Sequence, residues 1–178
     1  MATRLDRLAN VLGATAITLG DRFLGEDGVA ALPPPADHPS AAATLALLNW
    51  VPRIPQGRLA YCLGLSQPAT VRLIDRLEEA QLVRRQRQLR RRQIWIEVTQ
   101  QGRLLAQHLA GRRQQAMRAI VDKLSARDQA ALSALLERLG VVLLESKEHV
   151  MRVCRLCDAR ACGTDDECPM WRAARVLP

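Results

Sequence analysis

The chain has 178 residues, of which 48% are hydrophobic and only 3% aromatic, and its formal net charge is +8. This length fits one domain, or a domain with an appendage, and the abundance of Ala, Leu, Arg and Gln favours helices. The sequence contains no apolar run of the ~20 residues that a membrane-spanning helix needs. The helical spacing of the N-terminal leucines argues against a signal peptide, so we expect a cytoplasmic protein with no membrane contact.

Four helices are predicted in the first half of the chain. Thr3-x-x-Asp6 resembles a capping box and opens a first helix over residues 4–24. The segment LPPPADHP (32–39) cannot continue a helix and predicts a linker. A second helix is expected from Ser40 to the residues before Pro52, and a short third helix over 55–63. After the turn at Gly64, Ser66 is a ready N-cap for a fourth helix.

The hydrophobic period then changes from helix to strand and back. Ile94, Ile96 and Val98 alternate with polar neighbours and predict a strand, which pairs with 83–87 across a loop near 88–91. Helical spacing returns from Thr99. Ser125-x-x-Asp128, a second capping-box variant, opens a leucine-rich last helix that we expect to reach about residue 152. The fold class predicted is mainly α, a helix-turn-helix followed by a two-stranded β-wing.

This arrangement suits DNA, because the N-terminal end of the second helix of a helix-turn-helix meets base edges in the major groove. Six arginines lie within the nine residues 84–92, which is the localised positive charge typical of nucleic-acid binding. The alternative is a charged strand edge that only prevents aggregation. Arginines without acidic neighbours in the sequence repel one another, so this alternative is less favoured.

The candidate DNA-binding residues are Ser66, Gln67, Pro68, Thr70, Arg72, Arg84, Arg85, Arg87, Arg90, Arg91 and Arg92. In the fourth helix we expect Val71, Ile74 and Leu77 to be buried, and Gln67, Thr70 and Arg72 to face outwards.

The stretch LSQPATVRLIDRLEEAQLVRR, followed by a basic wing and VTQQGRLL, resembles the MarR family of transcription factors over roughly residues 4–150. This resemblance implies a winged helix-turn-helix whose outer helices intertwine with a second copy. It also implies a homodimer on a near-palindromic operator in double-stranded DNA, usually a repressor released by a ligand or by oxidation. Gln67, Pro68, Thr70 and Arg72 would form the major-groove face, and Arg90, Arg91 and Arg92 the wing tip. Two positions depart from the family pattern: Arg90 replaces an acidic residue, and Gln81 replaces a common glycine.

The outer helices carry broad Leu/Ala stripes that one small winged helix cannot cover, which independently favours a two-fold dimer over packing within one chain. The predicted organisation is a dimerisation helix and linker (1–35), a winged helix-turn-helix (36–99), dimerisation helices (100–152) and a cysteine-rich tail (153–178). The sequence identifies no pocket for a small-molecule inducer.

Four of the five cysteines lie in the tail with the spacing C-x2-C-x4-C-x5-C: Cys154, Cys157, Cys162 and Cys168. Four thiolates are the set that a closed tetrahedral zinc site needs, and zinc is the favoured cofactor. Pro169 after Cys168 is also typical of ferredoxin motifs, so an iron–sulfur cluster is the second candidate, and metal-free redox thiols are the third. We expect the site to terminate the last helix. Cys62 is expected to be a small core residue, and His149 a helix-surface residue.

These features predict a sequence-specific DNA-binding regulator that is modulated by or stabilised through the four-cysteine site. The alternatives are a non-specific architectural DNA-binding protein and a thiol-based redox sensor without metal. An enzyme is not expected, because dithiol oxidoreductase motifs open helices in βαβ units, and no other catalytic set is visible.

Overall fold

The computed structural model describes residues 3–25, 28–88, 93–163 and 166–177. The helices are α1 (Arg4–Leu24), α2 (Pro39–Trp50), α3 (Gln56–Leu63), α4 (Gln67–Glu79), α5 (Gln100–Val121), α6 (Ala126–Val142), and three short ones, α7 (Val150–Val153), α8 (Ala159–Cys162) and α9 (Pro169–Ala174). A single turn of 3-10 helix covers Val29–Ala31. None of the described helices is long and apolar enough to cross a bilayer.

The predicted caps are confirmed at the helix N-termini. The Thr3 hydroxyl accepts from the Asp6 amide at 3.1 Å, and the Asp6 carboxylate accepts from the Thr3 amide at 2.7 Å. These two hydrogen bonds lower the pKa of Asp6. The Ser125 hydroxyl accepts from the Asp128 amide at 3.2 Å in the same way. Local capping chemistry therefore determines where α1 and α6 begin.

The core is built around α2, whose residues 41–48 are all buried. A helix that is apolar on every side must be enclosed by other elements. Helix α5 packs along α2, and α3, α4 and the sheet also contact it. Side chains from these elements complete the core, among them Leu59, Ile74, Leu77, Ile96 and Leu109.

The sheet has three antiparallel strands in the order β1-β3-β2, where β1 is Arg53–Pro55, β2 is Val83–Gln88 and β3 is Gln93–Val98. The predicted pair is β2 and β3. Strand β1 was not predicted, because a strand of three residues that follows one proline and ends on another is too short for an alternating pattern. Ile54 of β1 lies opposite Ile96, and both side chains are buried.

The expectation that the last helix reaches residue 152 was wrong, as was the expectation that the cysteines terminate it. Helix α6 ends at Val142, and the chain then turns so that Leu144 and, in α7, Val150 and Met151 are buried in the core. The His149 ring nitrogen Nδ1 accepts from the Glu145 amide at 3.2 Å within this connection. Burial of these apolar side chains favours the turn over continuation of the helix.

A close junction joins the wing to α5 at the sequence VTQQG. The Thr99 hydroxyl donates to the Gln81 carbonyl at 2.7 Å and accepts from the Gly102 amide at 3.0 Å. Gln81 has a φ of 60°, a backbone conformation that glycine adopts more easily. Gly102 is buried, and a Cβ there would lie 2.0 Å from the Leu82 carbonyl oxygen. The junction therefore requires glycine at position 102.

Candidate nucleic-acid interface and cysteine site

The helix-turn-helix consists of α3, a tight turn and α4. Gly64 ends α3 with a φ of 66° in the left-handed region, which glycine adopts without steric cost. The Ser66 hydroxyl then accepts from the Ala69 amide and caps α4, as predicted. Ser66, Gln67 and Pro68 are all exposed at this end of α4. The first turn of α4 is thus open to a ligand.

The outward face of α4 differs from the prediction at two positions. Gln67 and Arg72 are exposed as expected. Thr70 is fully buried, and its hydroxyl donates to the Ser66 carbonyl at 3.0 Å, so the expectation that it faces DNA was wrong. Val71, which was expected in the core, is 39% exposed, and Leu73 is buried instead. The reason is that α4 packs against both α2 and α3, which turns the Thr70–Leu73 side inwards.

Two wing arginines have acidic partners that are distant in sequence. Arg84 lies opposite Glu97 on β3, and its Nη2 is 2.8 Å from the Glu97 carboxylate. Arg85 bridges to α4, with Nη2 2.6 Å from Asp75 and 3.2 Å from the Val71 carbonyl, and Nη1 bonded to Glu78. The expectation of a wing without acidic neighbours was therefore wrong for these two residues. Arg85 attaches the wing to the recognition helix.

Arg87 is exposed on β2, further along the strand than Arg84 and Arg85. Arg90, Arg91 and Arg92 lie outside the described residues. Arg53 adds positive charge on β1, where its guanidinium lies 5.2 Å from the centre of the Trp95 ring.

We expect Arg85→Ala to lower the free energy of unfolding by about 1–3 kcal/mol, because it leaves Asp75, Glu78 and the Val71 carbonyl without their shared donor. Only 21% of the Arg85 side chain is exposed, against 62% for Arg84. The matched control Arg84→Ala should lower the free energy of unfolding by about 0–1 kcal/mol, as is typical of exposed ion pairs. Urea denaturation of both variants measures the difference. Equal losses would contradict the assignment of Arg85 as the wing attachment.

The four tail cysteines line one cavity of about 30 Å³, together with Trp50, Gly163 and Trp171. Cys154 and Cys168 are buried, Cys157 is half-buried and Cys162 is exposed. Within the described residues, no group of three or more His, Cys, Asp or Glu side chains already has the arrangement of a metal site. The four cysteines therefore border one cavity without forming, within the described residues, the ligand arrangement of a metal site.

The thiols interact with one another. A hydrogen bond from Cys157 lowers the pKa of Cys154, and the same bond raises the pKa of Cys157 to about 11. The hydrogen bond to Cys157, with burial second, raises the pKa of Cys162. Burial raises the pKa of Cys62, which is fully buried in α3 as expected and does not line the cavity.

The cavity lies between the core and the tail. Trp50 ends α2, and its ring meets that of Trp171 on α9 edge-to-face at 6.3 Å. The Trp50 indole Nε1 is buried with no hydrogen-bond partner among the described residues. Helix α9 packs on α6, where Met170 fills the space next to Gly140, and α7 packs on α3. The cysteines are recognisable from their spacing in the sequence, whereas the two tryptophans have no signal at the sequence level.

A three-stranded winged sheet, an exposed helix N-terminus and long outer helices define a winged helix-turn-helix protein. Residues 39–90 match the model of the MarR family. A MarR family protein from Bacillus stearothermophilus is 21% identical, with a TM-score of 0.68, covering 78% of this chain and 95% of its own. MepR, a transcription regulator of the Staphylococcus aureus multidrug efflux pump MepA, is 17% identical, with a TM-score of 0.58 and coverages of 80% and 100%.

NadR, solved in complex with 4-hydroxyphenylacetate, is 19% identical, with a TM-score of 0.52 and coverages of 78% and 93%. The curated proteins contain no match to this chain. The resemblance to the MarR family is confirmed over residues 39–90 by the family-model match, and the fold matches that of the solved MarR family protein.

Proposed function

We propose that the protein is a homodimeric, sequence-specific DNA-binding transcriptional regulator that acts as a repressor. The observation that carries this proposal is the exposed start of α4, with Gln67 and Pro68 in the first turn and Arg72 in the second, held beside an arginine-rich wing by Arg85. Base edges in the major groove are read by such a helix, and Arg72 has the donors to bind a guanine bidentately. Arg87 and the tip arginines Arg90, Arg91 and Arg92 would bind phosphate or enter the minor groove.

The dimer is supported by apolar surface on the two outer elements. On α1, Leu5, Leu8 and Ile17 are between 63% and 72% exposed. On α6, Leu136 is 55% exposed, and Leu143, which directly follows the helix, is 62% exposed. Contiguous apolar faces of this kind mark interaction surfaces. A second copy is the occupant we propose, because a two-fold dimer places two recognition helices about one DNA turn apart, ~34–36 Å.

The proposal includes a cytoplasmic location, no catalytic activity and release of the operator by a signal. One candidate signal is a small-molecule inducer, since a protein of the same fold, NadR, was solved with 4-hydroxyphenylacetate. A cavity of about 400 Å³ lies between α1 and α5, lined by Arg22, His108 and Arg112 among others. Its volume suits a small ligand, and its arginines suit an anionic one.

The second candidate signal acts at the four cysteines, which share one cavity. The cofactor could be zinc or an iron–sulfur cluster, and the alternative is metal-free thiols that respond to oxidation.

Selection of binding sites from a random duplex pool, followed by competition at fixed salt, tests the DNA-binding proposal. We expect one near-palindromic sequence to be preferred by ~10³-fold or more over random DNA. Arg72→Ala should weaken binding to that sequence by about 10- to 100-fold and reduce the preference at one base pair per half-site.

The matched control is Arg127→Ala, which removes the same charge from an exposed position at the start of α6, and its affinity should stay near the wild-type value. If the protein bound every duplex with equal affinity and with a steep salt dependence, it would be a non-specific architectural DNA-binding protein and not a sequence-specific regulator.

A further inference from the structure

The four tail cysteines line one cavity together with Trp50 and Trp171. A closed structural zinc site holds its ion tetrahedrally with four such ligands, at Zn–S distances of ~2.3 Å. Because the four cysteines border the same space, side-chain movements within the tail would bring the four sulfurs around one ion.

The cavity that the four cysteines line has room for a single ion. Its volume is about 30 Å³, while a single water occupies roughly 10–15 Å³ by the same measure. One ion fits this space.

Two features at the cavity suit an anionic metal–thiolate group. Four thiolates around a divalent ion carry a net charge of about −2. The positive charge of Arg113 on α5 acts on Cys154, Cys157 and Cys162. The buried Trp50 indole N–H lacks an acceptor among the described residues, which is unfavourable for a buried donor. A metal-bound thiolate supplies such an acceptor.

The tail also contacts the helix-turn-helix itself. Cys154 directly follows α7, which packs on α3. The guanidinium of Arg152, on α7, lies against Gly64, the turn between α3 and α4, such that a Cβ on Gly64 would be 3.0 Å from its Nη2. Cys168 directly precedes α9, which packs on α6.

We propose that Cys154, Cys157, Cys162 and Cys168 bind a single zinc ion, and that the ion holds α7 against α3 and the turn before the recognition helix. On binding, four S–H bonds break, four Zn–S bonds form and the protons pass to solvent, without oxidation or reduction. The consequence for the operator rests on the proposed function: loss of zinc loosens the helix-turn-helix and weakens DNA binding.

Metal analysis of the full-length protein, purified without added metal and without oxygen, tests the site. We expect about one zinc per chain and, after replacement with cobalt, the intense visible bands of a tetrahedral thiolate complex. Cys157→Ser and Cys162→Ser should each lower zinc affinity by at least about tenfold, while Cys62→Ala binds like the wild type. Four freely titrating tail thiols with no metal, or a coloured iron cluster, would overturn the proposal.

Hydrogen exchange of the wild-type protein with and without a chelator tests the coupling, and it needs no variant that could misfold. Removal of zinc should accelerate amide exchange in α7 and α3 about tenfold or more, with little change in the N-terminal half of α5. Arg152→Ala should accelerate exchange at the Gly64 turn while zinc affinity is retained. Zinc binding without this change in exchange would overturn the coupling. Failure of the DNA-binding proposal would give a different result: the protein would still bind zinc but would prefer no DNA duplex.

Discussion

Gly102→Ala is expected to lower the free energy of unfolding by about 2–4 kcal/mol. A Cβ at position 102 would lie 2.0 Å from the carbonyl oxygen and 2.9 Å from the carbonyl carbon of Leu82, and 3.0 Å from Cγ2 of Val98. The nearest atoms belong to the backbone, which cannot move without breaking the hydrogen bond from the Thr99 amide to Leu82, 3.1 Å long. The substitution therefore separates α5 from the wing.

Gly111→Ala is the matched control, because it makes the same change in the same helix. A Cβ at position 111 meets nothing within 4 Å, so the helix propensity of alanine should raise stability by about 0.5–1 kcal/mol. Urea denaturation measures the free energies of unfolding of both variants, provided that the two curves share the same dependence of that free energy on urea concentration. If the two variants have the same midpoint, the close approach at Gly102 does not exist in solution.

Leu136→Asp is expected to weaken dimerisation on the order of 10²-fold or more, since it places an unpaired carboxylate in the apolar face of α6 that we propose as the interface. Leu132, Leu136 and Leu139 follow one another on that face, and Leu143 directly follows the helix. Sedimentation at several concentrations measures the monomer–dimer equilibrium. DNA binding should fall in parallel, because a monomer covers only one half-site.

The matched control is Ala134→Asp, which introduces the same charge at an exposed position almost opposite Leu136 on α6. We expect its dimerisation to remain close to that of the wild type. A Leu136→Asp protein that dimerises as well as this control would remove α6 from the proposed interface.

Local signals predicted most of the secondary structure correctly. The Thr3–Asp6 and Ser125–Asp128 boxes and the Ser66 cap each use atoms within three residues of one another, so they are visible in the sequence. The β2–β3 pair was predictable for a similar reason, because a short loop joins two alternating strands. Strand β1 was not, because its partner β3 is about forty residues away along the chain.

The errors on α4 and α6 also have a common physical cause. Helical periodicity shows that one side of a helix is apolar. The rotation of that helix relative to the core, however, is set by the helices against which it packs. Packing against α2 and α3 buried Thr70 and exposed Val71. Burial of Leu144, Val150 and Met151 ended α6 earlier than its leucines suggested.

By itself, the sequence determined the order of the elements, the helix starts, the concentration of arginine at the wing and the four-cysteine spacing, since each depends on neighbours along the chain. Only the tertiary structure decided which arginines are engaged, because Arg85 meets Asp75 and Glu78 across two elements. Likewise, only folding placed Trp50, from the end of α2, beside cysteines more than a hundred residues later. Contacts between distant segments depend on packing of the whole core, which no local pattern encodes.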